Sequence, residues 1–131
     1  MLITALILIA TASIGKSQDK LIGRDTAYIN SIMASENHLI TGQGNAEAAG
    51  QAYITYKMMA GYSMTFYFDK VTGECIGLKE FLTKELLEAS IINLNKRYVK
   101  IDANHWISND NNYKVVLGIS DDTIILTHTK I

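Results

Sequence analysis

The 131-residue sequence contains no proline, where ordinary usage of about 5% would supply about six or seven. It has one cysteine, Cys75, which excludes an internal disulfide framework and a Cys-rich zinc module. A chain without such staples relies on its apolar core. Charge of one sign is also missing: the formal net charge is −1 and the pI about 6.3, without the basic excess of a general nucleic-acid binder. Charged residues are sparse at 19%, while 48% are hydrophobic, and that balance excludes long-range disorder. The length suits one domain, which at this size buries roughly two-thirds of its unfolded surface.

Only one long uncharged run is present, Met1 to Gly15, rich in Leu, Ile and Ala. It falls short of the about 20 apolar residues of a bilayer span and fits the apolar region of a secretory signal peptide. Small-residue pairs at Ala10/Ala12, Ser13/Gly15 and Gly15/Ser17 offer cleavage sites. A cut after Ser17 is expected, because Gln18-Asp19-Lys20 begins polar chain. No Lys or Arg precedes the run, so either the amino terminus supplies the charge or the native start lies upstream of Met1. No cysteine lies near the cut to carry a lipid anchor. The expected product is therefore an exported domain, periplasmic or secreted, over residues 18–131, with no membrane span after the signal is removed.

Within that domain a first helix is predicted over Thr26–Asn37, with Asp25 as N-cap and an apolar stripe at Tyr28, Ile29, Ile32 and Met33. His38-Leu39-Ile40 could open a short strand. Thr41 to Gln51, with three glycines and small polar residues, reads as a flexible loop. Gly42-Gln43-Gly44 starts like a phosphate loop, but Glu47 stands where Gly-x-Gly-x-x-Gly needs its last glycine. From Tyr53 the period becomes two. Tyr53–Met58 and Tyr62–Phe68 are predicted strands with Ala60-Gly61 turning between them, and Val71–Leu78 makes a third with Gly73 at a turn or bulge. Met64, Phe66 and Phe68 share one face; Ser63, Thr65 and Tyr67 share the other. A second helix is predicted over Lys84–Asn95, capped by Thr83, with Leu87, Ile91 and Leu94 as its apolar line. Glu80, Lys84 and Glu88 read as a solvated charge row. Strands then follow at Tyr98–Ile101, with His105–Ile107 as a separate piece, at Tyr113–Ile119 and at Thr123–Thr129. The expected fold is α+β: two α-β-β-β units, a pseudo-repeat of residues 20–78 and 79–131, forming an antiparallel sheet with two helices packed on one face.

Gly23 with Ile29 and Met33, then Tyr53 and Tyr56, then Phe68-Asp69 through Gly73, Cys75 and Ile76 form a recurring pattern. It resembles the unit of β-lactamase inhibitor proteins and of the small outer-membrane assembly proteins related to them. The likeness covers about residues 21–78, with a weaker second copy over 84–129. Where those units carry Gly-x-Pro after the first helix, this chain has Ser35-Glu36-Asn37. It is similar as well to small exported bacterial proteins of this helix–meander type. The resemblance implies a scaffold that presents a sheet face to another protein, and it carries over no catalytic residues.

Motifs of chemistry are scarce. His38, His105 and His128 are not spaced as HxxxH or HExxH and read as surface histidines. Cys75 reads as a buried or dimer-forming thiol, and a Cys–His nucleophile would need His105 or His128 beside it. No Gly-x-Ser-x-Gly occurs, and Glu74, Glu80, Glu85 and Glu88 take no defined acid–base geometry. Asn109-Asp110-Asn111-Asn112 has calcium-loop composition but lacks the glycine and last glutamate of an EF-hand, so it reads as a turn. No enzyme activity, metal or cofactor is expected. Aromatic residues suit an interface better: Tyr53, Tyr67 and Trp106 are the candidate binding residues, expected together on the outer sheet face. The expected function is protein–protein binding in the cell envelope or outside the cell, carried by that face and the 41–51 loop. The alternative is small-ligand or lipid binding in a pocket between helices and sheet, lined by Met33, Met64, Phe66 and Leu87.

Overall fold

In a computed structural model, residues 21–35, 40–48 and 51–131 are described. The proposed signal segment, the last predicted turn of the first helix and His38 lie outside them. Helix α1 spans Thr26–Ala34 and strands β1 and β2 span Ile40–Ala48 and Gln51–Met58. β3 (Ser63–Asp69), β4 (Cys75–Leu82), helix α2 (Lys84–Arg97), β5 (Tyr98–Asp102), β6 (His105–Ser108), β7 (Tyr113–Ser120) and β8 (Thr123–Lys130) follow. All eight strands form one antiparallel sheet in the order β1-β2-β3-β4-β8-β7-β6-β5. The class is α+β, but the two α-β-β-β units are corrected to a continuous sheet in which four strands follow each helix.

Two readings account for the difference. The expected 41–51 loop is mostly strand: β1 pairs with β2 from Gly42↔Lys57 to Ala48↔Gln51. Gly42, Gln43, Gly44 and Asn45 have poor strand propensity, but the open edge of β2 supplies partners for their N–H and C=O groups. The third predicted strand is shifted. Val71–Glu74 turns the chain, held by Asp69 Oδ1 accepting from the N–H groups of Val71 at 2.7 Å and Thr72 at 3.1 Å. β4 then runs on to Leu82, through Glu80.

Local chemistry sets the start of α1 as expected, while Thr83 stands at the N-cap position of α2 without a side-chain capping hydrogen bond. Asp25 Oδ1 accepts from the Tyr28 N–H at 2.8 Å, and α1 buries Ile29 and Met33. α2 buries Leu86, Ser90 and Leu94, one face at i, i+4, i+8, with Leu87 and Ile91 partly buried beside it. Residues ahead of α1 tie it to the sheet: the Gly23 N–H donates to the Cys75 carbonyl and the Cys75 N–H to that of Arg24, both at 2.7 Å. The core lies between the helices and one sheet face. It contains Met33, Ile54, Tyr56, Met64, Phe66, Leu78, Trp106, Val115 and Leu126, all buried in one cluster. The β2–β3 connection is tight. Ala60 and Gly61 both take positive φ, 62° and 76°, a conformation that an alanine adopts at a cost.

Candidate functional site

Strand pairing sorts side chains between the two sheet faces. Tyr53 pairs with Tyr67, Tyr67 with Gly77, Gly77 with Thr129, and Thr129 with Lys114, so these five share the face away from the helices. The adjacent row runs Thr55, Thr65, Lys79, Thr127 and Val116. Tyr53 and Tyr67 are half-buried and pack with ring centroids 5.7 Å apart. Lys79 Nζ lies 5.4 Å from the Tyr67 ring centre, a cation–π distance. Thr55 and Thr65 share a hydroxyl hydrogen bond at 2.8 Å. Partial burial, and after it the neighbouring Tyr53, push the Tyr67 phenol above its ordinary value.

Gly77 opens this face. An open hollow of about 190 Å³ lies over it, walled by Gln51, Tyr67, Lys79, Thr127 and Thr129. The glycine is required by close approach: a Cβ there would lie 3.0 Å from the His128 carbonyl oxygen. Along the edge, Gly42, Gly44 and Ala46 leave a second hollow, about 380 Å³, beside Tyr53, Thr55 and Lys57.

Trp106 does not join the tyrosines. It pairs with Val115 and is fully buried on the helix side, where its Nε1–H donates to Asn95 Oδ1 at 2.9 Å. The short His105–Ile107 piece has too few residues for its own alternation to fix which side faces in. The neighbouring β7 decides it. Of the three candidate binding residues, the structure brings Tyr53 and Tyr67 together and places Trp106 in the core. Met33, Met64 and Phe66, the expected pocket lining, are fully buried in the core cluster, and Leu87 packs against it.

A buried polar cluster lies on the helix side that the sequence reading missed. Glu80, expected in a solvated row, is 2% exposed, and His128, expected at the surface, is also 2% exposed. Tyr62 Oη–H donates to Glu80 Oε1 at 2.5 Å, and His128 Nε2 meets Glu80 Oε2 at 2.5 Å. His128 Nδ1 is buried without a hydrogen-bond partner. An orphan lone pair costs less than an orphan buried N–H, so Nε2 carries the proton and donates to the carboxylate. Burial, and after it the Glu80 charge, hold the Tyr62 phenol well above its ordinary value. Strand alternation contained the signal: Glu80 falls in step with Leu78 and Leu82, and His128 with Leu126 and Ile124.

The remaining reactive side chains are separated. His105 Nδ1 sits 2.7 Å from Asp102 Oδ1 on the exposed β5–β6 turn. Cys75 is buried, its Sγ–H directed at the Gly77 carbonyl at 3.4 Å, and burial pushes its thiol up to about 11. A thiol so placed is a weak nucleophile. Among the described residues, no group of three or more His, Cys, Asp or Glu side chains could hold a metal ion, and no helix is long and apolar enough to cross a membrane.

No protein-family model matches the chain, and no curated protein or solved structure matches it either.

Proposed function

We propose that this chain is an exported, non-catalytic domain that binds another protein through the sheet face opposite its helices. The observation that carries the reading is the Tyr53–Tyr67–Lys79 arrangement beside the Gly77 hollow. Tyrosine supplies large contact area with few rotatable bonds and a polar tip, and a central hollow beside such a residue is where binding energy concentrates. The sheet holds both rings on paired strands, so they lose little freedom on docking. The resemblance to β-lactamase inhibitor proteins and their outer-membrane relatives points the same way, and Met1–Gly15 supports export.

The test places a photo-cross-linking residue at position 67, or at exposed Ile92 on α2, in cells that make the full chain. The reading expects a discrete adduct from position 67 and none from position 92. Adducts from position 92 alone, or equal capture at both, would remove the assignment.

A further inference from the structure

The inference rests on the docking surface just proposed and adds the chemistry of what docks. The chain has a net charge of −1, yet among the described residues the interior positions of one sheet face carry only basic charge. Lys57, Lys79 and Lys114 all point to the face away from the helices, as their pairing with Ser63, Thr65 and Thr129 requires. No Asp or Glu among the described residues occupies an interior position on that face. The carboxylates that pairing puts on that face, Asp69 and Asp102, end their strands and are engaged by turn groups. Asp69 accepts from the Val71 and Thr72 N–H groups, and Asp102 accepts from the Asn104 N–H at 2.8 Å and meets His105. Of the other described acids, Asp25 caps α1, Glu47 is on β1 at the position paired with Ala52, Glu74 and Asp110 are in the turns before β4 and β7, Glu80 is in the core, Glu85 and Glu88 are on α2, and Asp121 and Asp122 are in the β7–β8 turn.

The Gly77 hollow repeats this bias on a smaller scale. Its walls offer the Lys79 ammonium, the Gln51 amide, the Tyr67 phenol and the hydroxyls of Thr127 and Thr129, with no carboxylate. The Tyr67 ring holds the ammonium at the rim, where its N–H donors remain available. At about 190 Å³ the hollow has room for several waters, hence for a group the size of a side-chain carboxylate. Lys114 stands two strands away, about 10 Å at ordinary strand spacing, within reach of a second acid on the same segment.

We propose that the sheet face takes an acidic protein segment, with one Asp or Glu side chain seated in the Gly77 hollow against Lys79 and the flanking hydroxyls. A carboxylate there gains charge-assisted hydrogen bonds, roughly twice as strong as neutral ones.

The test titrates the ¹⁵N-labelled chain with a deca-glutamate peptide, a deca-lysine peptide and a decathymidylate oligonucleotide at matched ionic strength. Deca-glutamate is expected to give saturable amide shifts centred on Gly77, Lys79, Thr127, Thr129 and Lys114. Lys79→Glu, and a milder Lys79→Gln that keeps the fold as read from the same spectrum, weaken binding by about tenfold or more. Raising salt from about 0.05 M to about 0.3 M weakens it further. Shifts confined to Lys84, Lys96 and Arg97, unchanged affinity in both Lys79 variants, or tighter binding of the oligonucleotide would overturn the proposal. Its failure is distinguishable from failure of the docking reading. A partner cross-linked at position 67 that binds Lys79→Glu as well as wild type removes the acidic occupant and leaves the docking surface standing.

Discussion

Replacing Glu80 by alanine should destabilise the domain more than any surface change. The carboxylate is 2% exposed and satisfies two other buried groups, the Tyr62 hydroxyl and His128 Nε2–H. Its loss orphans both, at about 1–3 kcal/mol each, and the void left in a packed region adds roughly 1–2 kcal/mol. The expected cost is about 3–8 kcal/mol, against a total stability of about 5–15 kcal/mol for a domain of this kind. Glu80→Gln separates the parts of that cost. Its oxygen can still accept from Tyr62, but its NH₂ faces Nε2, so the imidazole proton must move to Nδ1, which has no partner. One buried donor is then orphaned, and the expected loss is about 1–3 kcal/mol. Removing all three polar groups together, as Tyr62→Phe/Glu80→Leu/His128→Leu, leaves no unpaired charge, and this variant should be more stable than Glu80→Ala. Urea unfolding followed by Trp106 fluorescence measures each value by linear extrapolation. A Glu80→Ala loss below about 1 kcal/mol with an unchanged slope would refute the reasoning, because it would mean that neither partner depends on the carboxylate.

Further outcomes follow from single sites. Ala60→Gly, at φ 62°, should stabilise the β2–β3 turn by about 0.5–1 kcal/mol in the same assay, and a loss of stability would contradict the strain assigned to it. With its thiol pushed up to about 11, native Cys75 should resist a disulfide reagent at pH 8 and react only once urea unfolds the chain; rapid native labelling would contradict its burial. The Asp110 carboxyl is held below its ordinary value, first by the Ser108 hydroxyl at 2.7 Å and then by the Asn112 N–H. A lowered folded-state value means that its contribution is present above the ordinary carboxylate range, about pH 4, and is lost as pH falls through the folded value. Thermal unfolding between about pH 4 and pH 2 should therefore fall less steeply for Asp110→Asn than for wild type. Identical slopes would contradict the assignment.

Much of the architecture was legible because periodicity is a local property. The N-cap at Asp25 and the inward Met64, Phe66 and Phe68 can each be read from neighbours in the chain, whereas the buried face of α2 is Leu86, Ser90 and Leu94, turned from the predicted line of Leu87, Ile91 and Leu94. β1 was not legible, since its glycines and short polar residues carry no pattern and its structure depends on the edge that β2 offers. Trp106 was misread for a related reason: its orientation is set by pairing across to Val115, not by its own short strand. Of the candidate site, Tyr53 and Tyr67 could be placed on one face from alternation alone. Their register, the hollow at Gly77 and the approach of Lys79 required the pairing of β2, β3, β4 and β8. The Tyr62–Glu80–His128 cluster joins strands β4 and β8 with the β2–β3 connection, and Glu80 and His128 are 48 positions apart in the chain. Its trace in the sequence was two polar residues, Glu80 and His128, in step with the apolar residues of their strands.

The central claim, that the sheet face opposite the helices is the docking surface, is tested most directly by calorimetry on a partner captured through position 67. Titration into wild type, Tyr53→Ala/Tyr67→Ala and the helix-side control Ile92→Ala compares the two faces in one experiment. The account expects the tyrosine double variant to lose about tenfold or more in affinity with its thermal unfolding little changed, and Ile92→Ala to bind like wild type. Equal affinity for all three chains, or a loss confined to Ile92→Ala, would contradict it.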